Sequence, residues 1–262
     1  MKNTDMESFM TKWGLIFKAF AITIALLVVR LVFDILNFDV LTVTNLITAF
    51  IGGAIFTIAI IFTWTLTDYK ESEKIPGEIA TSIRTLYSDI SLVRVPDEET
   101  AGVMRGKVAD LLKTINANFR NNTWDLHKID GAIDTINHDI AALVDLNVPP
   151  QYVVKLKNEV TALDRISHRV KTISETSFIP AAYAIAEIAA AGVVLLLFLV
   201  KLDPYYEGLV IFTVLCMLMT ALILLIKDMD NPFEVGKNSN ADIDLFLLWD
   251  LEQKLNEKMG PP

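Results

Sequence analysis

Four long apolar runs interrupt an otherwise charged chain. Trp13 to Leu36 is the first, and Leu41 to Leu66 follows after a short Asn37-Phe38-Asp39 turn. Ile179 to Leu202 and Gly208 to Ile226 form a second pair. A helix needs about 20 mostly apolar residues to cross the hydrocarbon of a bilayer, so each run is read as a membrane span. Pro180 suits the first turn of the third span. Tyr205 and Tyr206 lie in the Lys201–Glu207 connection, where interfacial aromatics are expected. Both connections are short, so the spans pair as antiparallel hairpins. The first run is too long for a signal-peptide core and lacks a basic leader, which makes it a retained helix.

Between the pairs the apolar residues recur at intervals of three and four, the period of helices that bury one face. Pro76 opens a helix with the stripe Ile79, Ile83, Leu86 and Ile90, and Val95-Pro96-Asp97 ends it. Val108, Leu111, Ile115 and Phe119 mark a second. A third starts near Asn122, carries Ile129, Ile133, Ile136, Ile140 and Leu143, and ends at Pro149-Pro150. The fourth has Val153, Leu156, Val160, Leu163, Val170 and Ile173. No stretch alternates with period two. The fold class is therefore all-α: a four-helix transmembrane protein, two antiparallel membrane hairpins with a cytosolic helical bundle between spans 2 and 3. The expected division is 1–69 first hairpin, 70–177 helical domain, 178–227 second hairpin, and 228–262 acidic C-terminal segment with an amphipathic helix.

Composition and charge narrow the function. The chain is 53% hydrophobic, above the roughly 45–50% of soluble domains. Its net charge of −9 argues against nucleic acid as a partner, because phosphates need a basic face. The single cysteine, Cys216, supports neither a disulfide framework nor a thiolate metal site. Of the short turns, only Lys201 is basic, whereas Lys2, Lys12, Lys18, Lys227 and the basic residues of the middle region lie on the other side. The positive-inside rule then places both termini and the middle domain in the cytoplasm. On that side the Asn121-Asn122-Thr123 sequon is unused.

After the fourth span comes Asp230-Asn231-Pro232-Phe233-Glu234-Val235-Gly236, then Asp242 and Asp244 ahead of an amphipathic stretch. After the second comes Tyr69-Lys70-Glu71-Ser72-Glu73-Lys74-Ile75-Pro76. These segments, with Arg165 and Arg169 before Ile179-Pro180, resemble the bestrophin channel family, in particular its prokaryotic bestrophin-like branch. The resemblance implies a homopentameric ion channel in a prokaryotic inner membrane, passing inorganic ions along the five-fold axis without a cofactor. Carried over through Glu73 and Pro76, it makes Ile51, Ile55 and Ala59 the neck of a pore on the second span, with Thr48, Gly52 and Thr63 beside them. An apolar ring gates by dewetting, while hydroxyls and exposed backbone help an ion shed water. The chain departs from calcium-gated members, whose dense acidic run is replaced here by Glu234 to Asn240. Calcium wants about 6–8 oxygens, so this stretch reads instead as a polar loop capping the final helix at Asp242.

Ionisable residues inside the spans need separate explanations. Arg30 and Asp34 stand four apart near the end of the first span, as an ion pair that fixes helix packing or, alternatively, an anion site at the outer mouth. Glu187 lies about two turns into the third span among alanines, where small residues let helices approach closely. It is either hydrogen-bonded between helices or serves cations or protons. His127, Asp130, Asp134 and His138 share one face of the third middle helix; they are metal-ligand types, but polar surface helices look the same. In a channel they would make the cytosolic vestibule negative. Beside the channel stand two other readings, an ion-coupled secondary transporter using Glu187 and a non-conducting membrane scaffold whose cytosolic bundle binds a partner. No nucleotide loop, activated nucleophile or phosphate cradle points to an enzyme.

Overall fold

A computed structural model describes residues 2–92, 98–175, 180–234 and 241–259. These form helices α1 (Lys2–Ile35), α2 (Asn45–Ser72), α3 (Ile75–Leu92), α4 (Glu98–Arg120), α5 (Leu126–Ala142), α6 (Pro150–Glu175), α7 (Pro180–Leu199), α8 (Tyr205–Met229) and α9 (Phe246–Met259). Among the described residues the only β pairing is an isolated bridge between Leu41 and Val200. The chain is an all-α integral membrane protein, with four helices long and apolar enough to cross a bilayer. It divides into two compact units, one built on α1, α2, α7 and α8, the other on α3 to α6 and α9.

Two helix ends and the turn that follows α5 each carry an asparagine with positive φ: Asn37 at 54°, Asn122 at 50° and Asn147 at 57°. Asparagine tolerates this left-handed conformation better than most side chains, and it frees the next amides to return to the helix. Asn122 therefore closes α4 instead of opening α5, with Thr123 N–H donating to the Asn118 carbonyl. Helix α5 starts later than its apolar pattern suggested, at Leu126. There Asp125 accepts from the Lys128 amide at 3.3 Å and satisfies one of the helix's unpaired N–H groups. It also ends earlier, at Ala142, while Pro150 begins α6. The expected break at Val95-Pro96-Asp97 lies outside the described residues, as does the stretch Val235 to Asn240.

In the second unit the stripes read from the sequence converge. Ile79, Ile83, Leu111, Ile115, Ile129, Ile140, Leu156 and Leu163 are completely buried. Each such side chain contributes about 1.5–3 kcal/mol by leaving water, before the entropy of ordering it is charged. Ile173, at the far end of α6, is only partly covered. Helix α9 buries Leu248, Leu251 and Leu255, and Asn116 of α4 donates to the Leu248 carbonyl at 3.2 Å. The Asp244 carboxylate accepts from the Phe246 amide at the start of α9, at 2.9 Å.

In the first unit, two apolar clusters hold the spans together. Ile58, Ile61, Ala182, Ala186, Met219 and Ile226 form one. Ala54, Val193, Leu197, Phe212 and Cys216 form the other, which places the lone cysteine in apolar packing. The first residues of the second expected span, Leu41 to Thr44, are not helical. Leu41 exchanges backbone hydrogen bonds with Leu199 and Lys201 at 2.9 and 2.7 Å, and the Thr44 hydroxyl accepts from the Ile47 amide.

Candidate pore helix and its supports

Helix α2 touches its own unit along a narrow stripe. Ala54, Ile58, Ile61 and Thr65 are buried, at intervals of four, three and four, while the opposite face is open. Four of the pore candidates, Thr48, Gly52, Ala59 and Thr63, lie on that open face. Ile51 and Ile55 flank it and are half-buried, because each lends part of its surface to one of the two clusters. A Cβ added at Gly52 or at Gly53 would meet nothing within 4 Å, so the backbone there is bare. The Thr63 hydroxyl donates to the Ala59 carbonyl at 2.8 Å, and the Thr48 hydroxyl to the Thr44 carbonyl at 3.2 Å. With their protons committed to the helix, these hydroxyls offer lone pairs outward. Phe56 and Trp64, 67% and 52% exposed, also stand uncovered; their size and apolarity gave no sign of this in the sequence.

At the other end of the spans Arg30 is completely buried. Its guanidinium donates to the carbonyls of Leu197 at 3.2 Å, Phe198, and Val200 at 3.0 Å, and pairs with Asp34 at 2.7 Å. Those carbonyls belong to the last turn of α7 and the residue just past it, where helical backbone acceptors lack partners. The Tyr205 hydroxyl donates to the second Asp34 oxygen at 3.3 Å. Arg30 is thus enclosed by protein, and the geometry is that of a cap joining α1, α7 and α8.

Glu187 pairs with Lys227 of α8 at 2.5 Å, with both side chains about half exposed. It borders a groove of about 420 Å³ whose other walls, including Ile22, Leu26, Val194, Phe198 and Met219, are apolar except for Thr220. One turn before it on α7, the Tyr183 hydroxyl donates to Asp230 at 2.7 Å. Asp230 begins the motif that the sequence singled out, and Asn231 follows with a buried side-chain oxygen that has no hydrogen-bond partner.

The rest of that motif serves the second unit. Phe233 is buried, with its ring 5.7 Å from that of Phe119, which in turn lies 4.8 Å from Trp124. The Pro232 carbonyl accepts from the Ile243 amide at 3.0 Å, closing the loop that leads to α9. Pro76 is buried in the first turn of α3. Glu73 pairs with Lys70 at 2.9 Å on the surface, and Arg169 reaches Glu71 at 3.0 Å. Exposed pairs of this kind contribute about 0–1 kcal/mol, so the two secure geometry more than stability.

The four metal-ligand types on α5 do not assemble. His127, Asp134 and His138 are exposed, and a helix rises about 5.4 Å per turn, too much for four residues spread over three turns to share one ion. Asp130 instead meets Asp164 and His168 of α6. That contact joins residues 34 positions and more apart, which periodicity along one helix cannot reveal.

No family model matches the sequence, and no curated protein matches it. Solved structures do. A bacterial Bestrophin homolog from Klebsiella pneumoniae carrying a leucine-to-threonine mutation superposes with a TM-score of 0.76 at 12% identity, covering 94% of this chain and 99% of its own. The same homolog with a tyrosine-to-alanine mutation gives a TM-score of 0.72 at 12% identity over 95% and 99% of the two chains. A third structure, described as a membrane protein, gives 0.76 at 11% identity over 94% and 99%. The likeness carried in the sequence by Glu73, Pro76 and Asp230–Phe233 extends to the architecture of nearly the whole chain, which has the bestrophin-like fold.

Proposed function

We propose that this chain self-associates as a homopentamer around an axial pore lined by α2 and conducts inorganic ions passively across a prokaryotic inner membrane. The observation that carries this reading is the open face of α2. It sets hydroxyls, a bare glycine backbone and a small alanine in one line, and the protomer leaves that line uncovered. Lipid gains nothing from such a surface, whereas a water-filled passage uses both the oxygens and the exposed backbone. Ile51 and Ile55, at the edge of the face, supply the apolar constriction and Ala59 a wider ring. The bestrophin-like fold supports the assembly, and no catalytic chemistry is assigned to it. The cluster of basic residues away from the short turns supports cytoplasmic termini and a cytoplasmic helical domain.

Purified protein reconstituted in planar bilayers tests the reading. Unitary currents are expected, altered by Ile51→Ala or Ile55→Ala and reduced by Ala59→Phe. Silence over a wide range of voltage, pH and calcium, or a stable monomer by mass measurement in detergent, sinks it. A scaffold would give silence together with a stoichiometric partner on its helical domain.

A further inference from the structure

We infer that Asp130, Asp164 and His168 form a binding site for a divalent transition-metal ion that links α5 to α6. One ligand atom from each of the three residues lies within 4.8 Å of the others, close enough for a single ion to touch all three. Asp164 and His168 alone would be an ordinary surface pair one turn apart, about half exposed, with the imidazole Nδ1 3.0 Å from the Asp164 carbonyl oxygen and 3.4 Å from its Oδ1. Asp130 changes that. It comes from the neighbouring helix, and its Oδ1 is sealed from solvent without any hydrogen-bond partner. A buried carboxylate oxygen without a donor is costly, and the groups that share its cluster are a second carboxylate, which repels it, and an imidazole. A cation answers both problems.

The ligand set decides which cation. One imidazole nitrogen and two carboxylates suit zinc and its first-row neighbours, with water completing the coordination. Calcium takes about 6–8 oxygens, and two aspartates supply at most four. The framework around the site is already rigid. Ile129 and Ile133 on α5 and Leu163, Ile166 and Ser167 on α6 are buried, and the Trp124 indole donates to the Ser167 carbonyl at 2.9 Å. The three ligands are therefore held near their binding positions before an ion arrives, and metal binding fastens the two helices together. The inference stands apart from the channel reading, since it concerns binding and not conduction.

Full-length protein in detergent, freed of any polyhistidine tag and stripped with chelator, is titrated calorimetrically with Zn²⁺. One Zn²⁺ per chain is expected. His168→Ala, a half-exposed change, should weaken binding by at least about tenfold, as should Asp130→Asn, whereas His127→Ala and His138→Ala should leave it unchanged. Co²⁺ at the same site should give a visible d–d absorption band that disappears in His168→Ala. The inference is overturned by an absence of saturable Zn²⁺ binding, by Zn²⁺ binding His168→Ala as tightly as the parent, or by equimolar Ca²⁺ displacing Zn²⁺.

Discussion

The guanidinium of Arg30 donates to the Val200 carbonyl at 3.0 Å, across 170 residues of sequence. A charged side chain of the first span thus closes the end of the third, and Asp34 neutralises it from one turn along α1. Removing the guanidinium leaves Asp34 without its cation and the carbonyls of Leu197, Phe198 and Val200 without this donor. Loss of one partner from a buried pair costs about 3–5 kcal/mol, so Arg30→Met should lower thermal stability in detergent markedly. Arg30→Lys should not restore it, because a point ammonium cannot fork across carbonyls and carboxylate together. An unchanged melting temperature for Arg30→Met would remove the cap from the account.

The hydroxyls of α2 bear on ion selectivity. Thr48 and Thr63 spend their protons on the helix backbone, so the atoms left facing the proposed pore are acceptors. Acceptors replace the hydration of cations better than that of anions. Under a NaCl gradient the reversal potential should lie towards the sodium equilibrium potential, and Thr63→Val should reduce cation conductance while leaving the fold intact. A reversal potential on the chloride side counts against this role for the hydroxyls.

Acid should loosen the second unit at the start of α5. The Asp125 carboxyl titrates below its ordinary range, chiefly because Lys128 hydrogen-bonds to its charged form, with the helix amide adding to this. A depressed folded-state value means the cap stabilises above the unfolded pKa of about 3.9 and is lost as pH falls through the lower, folded value. Urea unfolding followed from pH 6 down to 2 should show a shallower acid limb in Asp125→Asn, which keeps a capping oxygen but cannot titrate. Asp125→Ala should be less stable than the parent already at pH 6. Identical limbs in the parent and Asp125→Asn would exclude this carboxyl as a source of acid sensitivity.

The helices were legible because burial follows period. The stripe from Ile79 to Ile90 and that from Ile129 to Ile140 point inward as read, and the four apolar runs are the four long membrane-capable helices. Boundaries were less legible, since an asparagine such as Asn122 signals a helix start and a left-handed stop equally well. Side-chain pairings are legible only where both partners share an element. Arg30 and Asp34 stand four apart and were paired on that ground, whereas the α7 carbonyls carry no sequence signal. Periodicity groups Asp130 with its own helix, although its companions come from α6, because a one-dimensional pattern cannot show which faces meet. Apolar content alone does not distinguish the open face of α2 from the packed stripe at Ala54, Ile58 and Ile61.

Glu187 separates a passive pore from an ion-coupled carrier. Its carboxylate is joined to Lys227 at 2.5 Å, on the side of the unit where α7 and α8 meet, whereas the open face of α2 carries no ionisable group from Thr48 to Thr67. In a pore lined by α2 the pair is structural. Glu187→Gln then removes one charge and leaves Lys227 to reach water from the end of its helix, which a long flexible stem permits. Unitary conductance should therefore stay within about a factor of two of the parent, while stability drops by the modest amount expected of a half-exposed pair, about 0–1 kcal/mol. A carrier that loads and unloads an ion at this carboxylate behaves otherwise: neutralising it abolishes coupled flux into proteoliposomes and leaves no current to rescue. Charge reversal across the pair, Glu187→Lys with Lys227→Glu, sharpens the distinction, because it restores the attraction but moves the carboxylate to another helix. Recovery of stability with unchanged conductance supports the structural role, and loss of all transport in Glu187→Gln assigns the residue to the transport path.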